Sequence, residues 1–281
     1  MLEQRVEAEL RIHEAAETGN HALDISGLGL TVFPKSFDSL SDITHFHLHH
    51  NRVAVLPESI GALTSLTELY LHHNRLAELP ESIGALTNLT ELRLGSNDLT
   101  ELPESLGYLS NLHVLSLGFN QFAELPEALY SLPSLNELYL GGNQLAELPE
   151  WLGSLTNLTV LSLYGNQLTK LPESIGALNN LTELYVHDNQ LTALPESLGS
   201  LTSLNTLHIY DNRLTAPPES LNSLTSLNTL HLHRNRFTHL PARLASLTRS
   251  ELVSNISPDP ASSAVSVRGR DDSAVQSTAT T

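Results

Sequence analysis

The sequence predicts an α/β solenoid, a coil of about ten short repeats whose strands form one parallel sheet on the concave face. Three observations predict it. A Pro-Glu pair returns every 23 residues, an asparagine returns with the same period, and leucines alternate over a short stretch before each asparagine. One strand per repeat cannot bury its apolar face alone, so neighbouring units must stack.

The periodic asparagines mark the point where the chain leaves each strand. A side-chain amide can satisfy backbone groups that the turn leaves unpaired, so we interpret these residues as structural. They are Asn51, Asn74, Asn97, Asn120, Asn143, Asn166, Asn189, Asn212 and Asn235. The prolines, such as Pro57, precede segments that suit a short helical or irregular return along the convex side.

The two ends of the chain depart from the repeat. Residues 2–18 are predicted to form a helix with Leu2, Val6 and Leu10 on one stripe and Gly19 at its end. We therefore divide the chain into an N-terminal helical cap (1–19), the solenoid (20–253) and a disordered tail rich in Ser, Ala and Thr (254–281). Whether the solenoid includes a partial eleventh unit is left open.

The repeat motif L-x-x-L-x-L-x-x-N-x-L-x-x-L-P, which contains Leu66, Leu69, Leu71 and Asn74 in one unit, resembles the leucine-rich repeat family. The resemblance covers Asn20 to about Arg249. The period of 23 and the Leu-Pro pair are similar to the intracellular, Ras-group-related class of that family. This resemblance implies a horseshoe with an N-terminal cap and a non-enzymatic scaffold that binds a protein partner, with a role in intracellular signalling.

A second function stays open beside the first. Similar repeat arrays form the recognition half of bacterial effector ligases and accompany Roc GTPases. The alternative function is therefore that of a substrate-targeting domain of a larger or truncated enzyme or effector. We expect the protein to be a monomer. End-to-end association of two solenoids is left open, because no polar C-terminal cap is evident in the sequence.

Composition argues against several classes of function. The formal charge is −17, with two lysines, which disfavours nucleic-acid and anionic-membrane partners. The chain has no cysteine, no Gly-x-Ser-x-Gly and no P-loop, so we expect no enzyme activity and no cofactor. Glu68 and Glu91 fall on neighbouring strands, but an open sheet does not exclude water from such a pair. The charged N-terminus lacks a secretion signal, which favours the cytoplasm, although leaderless export stays open.

Histidine and tyrosine are concentrated on the predicted concave face. Ten of the 14 histidines and five of the seven tyrosines lie on the exposed side of the strands or two to three positions after them. Flat amphipathic side chains on a rigid sheet are typical of a binding surface. The predicted partner-binding residues are Tyr70, Arg93, Phe119, Tyr139, Tyr164, Tyr185, His187, His208, Tyr210, His231 and His233.

The histidines also suggest two further properties. We predict no metal site. The best candidates for a zinc or nickel ion are His45, His47, His49 and His72, which fall on adjacent strands. Solvated imidazoles titrate near pH 6.5, so the sequence predicts that partner binding changes with a midpoint at about pH 6–7.

Overall fold

The computed structural model describes residues 2–34, 36–37, 40 and 42–238, and it confirms the predicted solenoid. Ten parallel strands form one sheet in the order in which they occur along the chain. They are β1 Ala22–Asp24, β2 His45–His47, β3 Glu68–Tyr70, β4 Glu91–Arg93, β5 Val114–Ser116, β6 Glu137–Tyr139, β7 Val160–Ser162, β8 Glu183–Tyr185, β9 Thr206–His208 and β10 Thr229–His231. The predicted tail and partial eleventh unit lie outside the described residues.

The strands pair with equivalent residues side by side. Glu68 lies beside Glu91, and Tyr70 beside Arg93. Side chains that share a repeat position therefore form straight columns across the sheet. The middle residue of each strand, such as Leu69, points into the core and is fully buried. Full burial of a leucine stabilises the fold by about 1.5–3 kcal/mol.

Short 3₁₀ helices, which we call return segments, carry the chain back along the convex side. Pro80 precedes one of them in an extended conformation (φ −70°, ψ 151°), and its ring suits the first turn of a helix. The return segments are Glu58–Ala62, Glu81–Ala85, Glu104–Tyr108, Glu127–Ser131, Glu150–Ser154, Glu173–Ala177, Glu196–Ser200 and Glu219–Ser223.

The asparagines form a buried ladder that joins neighbouring units. The Asn97 Oδ1 atom accepts a hydrogen bond from the Leu76 N–H at 3.0 Å. Its Nδ2 donates to the carbonyl of Leu94 at 2.9 Å and to that of Leu71 at 3.1 Å. One side chain thus satisfies three backbone groups, one in its own turn and two in the preceding unit.

The predicted N-terminal helix is confirmed as α1, Leu2–Thr18, but its buried stripe differs from the prediction. Val6 and Leu10 are exposed, and the residues facing the core are Ala8, Ile12 and Ala15. The buried stripe thus combines Ile12 with two small alanines, and the helix packs against β1. Within the described part of the chain, no helix has the length and hydropathy that a membrane span requires.

Candidate functional site

The exposed side of the sheet carries two groups of stacked rings. The first, the N-terminal ring block, comprises His47, His49, His50, Tyr70, His72 and His73. The second, the C-terminal ring stack, comprises Tyr164, Tyr185, His187, His208, Tyr210, His231 and His233. The paired register of the strands places equivalent rings on neighbouring strands, so planar side chains at one repeat position stack face to face.

The N-terminal ring block consists of three parallel pairs. His47 stacks on Tyr70 with ring centroids 4.5 Å apart and planes within 1°. The other pairs are His49 with His72, at 4.5 Å, and His50 with His73, at 4.3 Å. The Arg93 guanidinium covers the free side of Tyr70, with Cζ 4.9 Å from the ring centroid. This is a cation–π contact, and it extends the stack by one strand.

The C-terminal ring stack runs through four consecutive units. Tyr164, His187, Tyr210 and His233 follow one another with centroid separations of 4.9, 4.3 and 4.6 Å and nearly parallel planes. Beside this column, His208 stacks on His231 at 4.2 Å, and Tyr185 meets His208 edge to face at 4.9 Å. The result is a continuous aromatic surface on the exposed side of β7–β10.

A strip without side chains separates the two groups. Gly95, Gly118 and Gly141 occupy the column position that carries rings elsewhere. The absence of a Cβ at Gly141 lets Tyr164 lean across it, because a Cβ there would lie 2.3 Å from the Tyr164 Cε1 atom. Phe119 leans toward the same place and meets Tyr164 edge to face at 6.1 Å. The strip is thus a shallow trough with aromatic rings at one end.

Glutamates fix three of the tyrosines. The hydroxyls of Tyr70, Tyr139 and Tyr185 each donate to the carboxylate two residues earlier on the same strand, at 3.0, 2.7 and 2.6 Å. Burial, followed by this hydrogen bond, raises the pKa of Tyr139 and Tyr185. Their hydroxyls therefore remain protonated donors, and the rings are held in one orientation before any partner arrives.

The electrostatic character of the face is acidic. Seven carboxylates share it with two guanidinium groups, which leaves an excess of five negative charges. Both guanidiniums are already paired, since Arg93 binds Glu91 and the Arg234 Nη1 atom lies 3.1 Å from the Asp211 Oδ2 atom. The seven acids are Asp24, Glu68, Glu91, Glu137, Glu183, Asp188 and Asp211.

The pKa values of three histidines on the face lie below the value on which the sequence prediction rests. Burial, with the like charges of neighbouring histidines, lowers the pKa of His72 and His187 to about 3 and that of His208 to about 4. The cause is visible in the stacks, since His187 lies between two tyrosines with 12% of its side chain exposed. The expected cationic face near pH 6.5 is wrong for these three residues.

The four candidate metal ligands lie close together but are directed at different partners. The His45 Nε2 atom lies 3.5 Å from the Glu68 carboxylate, His47 stacks on Tyr70, and His49 stacks on His72. Among the described residues, no three histidine, aspartate or glutamate side chains are grouped so that they could hold a metal ion.

The predicted partner-binding residues fall into three places on the face. Seven form the C-terminal ring stack, with Phe119 at its edge, while Tyr70 belongs to the N-terminal ring block and Arg93 lies over its ring. Tyr139 lies between the groups, bonded to Glu137. Sequence reasoning missed the glutamates that orient the tyrosines, although their spacing of two residues on a strand indicates the contact.

Comparison with known families and structures gives a consistent result. Family models described as "Leucine-rich repeat region", "Leucine rich repeat" and "Leucine Rich repeats (2 copies)" match residues 153–254, residues 23–76 and 87–145, and residues 64–104, respectively. No curated protein matches the chain significantly.

Solved structures similar to this chain come from bacteria and plants. A leucine-rich repeat protein of Leptospira interrogans is 30% identical, with a TM-score of 0.59, over 84% of this chain and 78% of that one. The ectodomain of the Arabidopsis thaliana receptor kinase GASSHO1/SCHENGEN3, in complex with CASPARIAN STRIP INTEGRITY FACTOR 2, is 37% identical with a TM-score of 0.67. The match spans 76% of this chain and 27% of that ectodomain.

A third similar structure is the plant peptide hormone receptor RGFR1 in complex with RGF2. It is 26% identical with a TM-score of 0.61, over 73% of this chain and 38% of the receptor chain. This chain therefore spans between about a quarter and two fifths of the two plant receptors.

Proposed function

This chain belongs to the leucine-rich repeat family, and from that premise we propose that it is a non-enzymatic protein-interaction module that binds a basic protein segment on its concave face. Proteins of this fold are typically binding modules. The single observation that carries the proposal is the C-terminal ring stack, a rigid aromatic surface on the open side of the sheet.

The ring stack supports binding because its side chains are already ordered, so little side-chain entropy is lost when a partner docks. Stacking fixes the imidazole and phenol planes, and the bond to Glu183 holds Tyr185 in place. A partner that docks here orders few additional side chains, so more of its contact energy appears as affinity. Tyrosine is also enriched among the residues that dominate binding energy at interfaces.

The charge of the face supports a basic partner. The excess of carboxylates lies on the same columns as the rings, and the two arginines present are already paired. A segment that carries lysine or arginine beside apolar residues would gain ion pairs with Glu137, Glu183 and Asp188 and stack its apolar groups on the tyrosines. An acidic segment would meet repulsion.

Two relatives support a peptide or protein ligand. The structures of the GASSHO1/SCHENGEN3 ectodomain and of RGFR1 were determined in complex with CASPARIAN STRIP INTEGRITY FACTOR 2 and RGF2. Because this chain spans a minor part of those receptors, their ligands indicate the kind of partner and not its identity.

The finer assignments are part of the same proposal. The Leu-Pro repeats of 23 residues favour the intracellular class, and we infer a cytoplasmic scaffold in a signalling pathway. Fractionation of the source cells with an antibody against the chain tests the location. Recovery of the chain outside the cytoplasmic fraction would contradict it.

The test of the binding face uses selected peptides. Random dodecapeptides displayed on phage are selected on the wild-type chain, and the affinity of each selected peptide is then measured by calorimetry. We expect an excess of Lys and Arg over Asp and Glu. The double variant Tyr164→Ala/Tyr185→Ala should lose at least ~2 kcal/mol of binding free energy.

The control is Tyr108→Ala, because Tyr108 lies on a return segment, is 71% exposed and is remote from the ring stack. It should leave affinity unchanged. Selected peptides that bind the double variant as tightly as wild type, or that are predominantly acidic, would overturn the proposal.

A further inference from the structure

Large and small side chains alternate across three neighbouring strands of the concave face. β6 and β8 each present a glutamate followed by a tyrosine, whereas β7 between them presents a valine followed by a serine. Since neighbouring strands lie about 4.8 Å apart, β6 and β8 are about 10 Å apart across β7. The small side chains of β7 therefore form the floor of a slot, which we call the Ser162 notch. Its residues are Glu137 and Tyr139 on one wall, Glu183 and Tyr185 on the other, and Val160 and Ser162 on the floor.

Both walls of the notch are ordered and negatively charged. On each wall the tyrosine hydroxyl donates to the Oε2 atom of the glutamate, at 2.7 Å on β6 and 2.6 Å on β8. Within the described part of the chain neither glutamate makes another hydrogen bond or ion pair, so the Oε1 atom of each can still accept. Burial, then the bond to Glu137, raises the pKa of Tyr139, and the charges of Glu183 and Tyr185 on the opposite wall raise it further. The two walls thus act on each other electrostatically across β7.

The floor of the notch carries a buried hydroxyl that has no partner. Ser162 is 4% exposed, and its hydroxyl makes no hydrogen bond to any other residue that the structure describes. Buried polar groups are normally hydrogen-bonded, because an unsatisfied one costs free energy. A ligand that brings a hydrogen-bond donor between the two walls would satisfy this oxygen.

The chain itself shows how this face holds a cation. The Arg93 guanidinium binds the Glu91 carboxylate and covers the Tyr70 ring, with Cζ 4.9 Å from the ring centroid. A guanidinium is thus held by a carboxylate and a tyrosine ring, which are the two groups that each wall of the Ser162 notch supplies.

A second valine–serine floor provides a comparison. Val114 and Ser116 lie on β5 between β4 and β6, and we call this place the Ser116 notch. On the β4 wall, Arg93 takes the place of a tyrosine and neutralises Glu91. A cation from a partner would meet a like charge there, so the two notches differ in charge although their floors are the same.

The shape and charge of the Ser162 notch select a guanidinium group. Two carboxylates favour a cation, and two phenol rings favour a flat one. A flat group needs about 3.5–4 Å to each ring, or about 7–8 Å in all, which the strand spacing of about 10 Å allows. The five N–H donors of arginine can serve both carboxylates and the serine hydroxyl. The ammonium group of lysine is a compact, strongly hydrated charge with no flat surface to stack on the rings.

We propose that the Ser162 notch binds the guanidinium group of one arginine of the partner segment, stacked between the two tyrosine walls and hydrogen-bonded to both glutamates and to Ser162. The inference rests on the function proposed for the concave face, and it adds the residue that the partner must supply. A segment that carries only lysine is attracted to the acidic face but leaves the notch unfilled.

The decisive variant fills the notch with a side chain that the fold already accepts. Ser162→Tyr places a tyrosine at the strand position that carries one on β6 and on β8. The matched control is Ser116→Tyr, which fills the Ser116 notch in the same way. The probe is the tightest of the selected basic dodecapeptides, titrated by calorimetry against the full chain. We expect at least a tenfold loss of affinity for Ser162→Tyr and no change for Ser116→Tyr.

A second variant and altered peptides test the chemistry of the contact. Glu183→Gln keeps an acceptor for Tyr185 but removes the charge, and it should also weaken the probe; thermal melts verify that each variant is folded. In the peptide, each arginine is replaced singly by lysine, which keeps the charge, and by citrulline, which keeps the flat shape. We expect one arginine at which either replacement costs at least tenfold on the wild-type chain and little on Ser162→Tyr.

Three results would overturn the arginine site. They are equal affinity for wild type and Ser162→Tyr, equal losses in Ser162→Tyr and Ser116→Tyr, and selected peptides in which lysine replaces every arginine without loss. If the double variant Tyr164→Ala/Tyr185→Ala still weakens those peptides, the function proposed for the concave face stands and only the notch fails. Peptides that bind every variant as tightly as wild type would overturn both.

Discussion

Removal of one asparagine from the buried ladder should destabilise the whole solenoid. In the middle of the array, the Asn120 Oδ1 atom accepts from the Leu99 N–H, and its Nδ2 donates to the carbonyls of Leu94 and Leu117, each at 3.0 Å. Asn120→Ala leaves the Leu99 N–H without a partner. It also removes one of the two hydrogen bonds that the Leu94 and Leu117 carbonyls accept, since Asn97 and Asn143 also donate to them. An unsatisfied buried group costs about 1–3 kcal/mol and a lost hydrogen bond about 0.5–1.5 kcal/mol, so we expect a loss of at least about 2 kcal/mol of unfolding free energy.

The assay is urea denaturation followed by far-UV circular dichroism and by Trp151 fluorescence. Coincidence of the two signals verifies that the array unfolds as one unit, which repeat proteins do not always do. The matched control is Asn111→Ala, where an exposed amide makes one hydrogen bond, of 2.8 Å, to the Thr87 carbonyl. That change should cost less than about 1 kcal/mol.

A further variant separates hydrogen bonding from packing. Asn120→Asp keeps the shape and the acceptor for Leu99, but it turns a donor into an acceptor that faces two carbonyls. It should destabilise the chain at least as much as Asn120→Ala does. Equal midpoints for Asn120→Ala and Asn111→Ala, or a benign Asn120→Asp, would refute the view that the ladder holds the units together.

Two further predictions concern stability. Because the folded pKa values of His72, His187 and His208 lie below the unfolded value of 6.5, stability is complete above pH 6.5 and falls as the pH is lowered toward 4. Urea denaturation at pH 7 and pH 5 should show that the free energy of unfolding falls on the order of 1 kcal/mol for each histidine, after allowance for screening by solvent. The variant His187→Phe should show a smaller fall. An unchanged urea midpoint between the two pH values would contradict the burial of these histidines in the stacks. Gly176→Ala should cost about 1–3 kcal/mol, because its Cβ would lie 2.5 Å from a backbone oxygen of the next segment. A Cβ on Gly107 would lie 3.3 Å from the Ala128 carbonyl oxygen and 3.0 Å from the Ser131 Cβ. Gly107→Ala should therefore cost less by the same urea assay, and equal losses would contradict the packing argument.

The sequence determined the fold because every repeat position has one geometric role. The leucine spacing gave the buried side of each strand, and the asparagine spacing gave the ladder. The columns of face residues could be written from the period alone, because parallel pairing without slippage puts equivalent residues such as Tyr70 and Arg93 side by side.

What the sequence could not give is the environment of individual side chains. The depressed pKa of His187 depends on the two tyrosine rings that enclose it, and such enclosure follows from rotamers that the period does not specify. The buried stripe of α1 is a similar case, because Leu2, Val6 and Leu10 and the observed Ala8, Ile12 and Ala15 both follow helical spacing, and the spacing alone does not say which stripe faces the solenoid.

The contact between Tyr130 and Trp151 on the convex side was missed for a different reason. Tyr130 and Trp151 lie 21 residues apart, which is not the repeat period, so a column-by-column reading does not pair them. The contact follows from the offset between consecutive return segments, as in the packing of Gly84 on Ser105.

The central claim is that the ring-bearing side of the sheet is the surface that meets a partner. Hydroxyl-radical footprinting of the chain with the tightest selected basic peptide tests it most directly, since the method reports exposure of individual tyrosine and histidine side chains. The account predicts protection of Tyr164 and Tyr210 and unchanged reactivity of Tyr108. Protection confined to Tyr108 and the return segments, with the ring stack fully reactive, would contradict it.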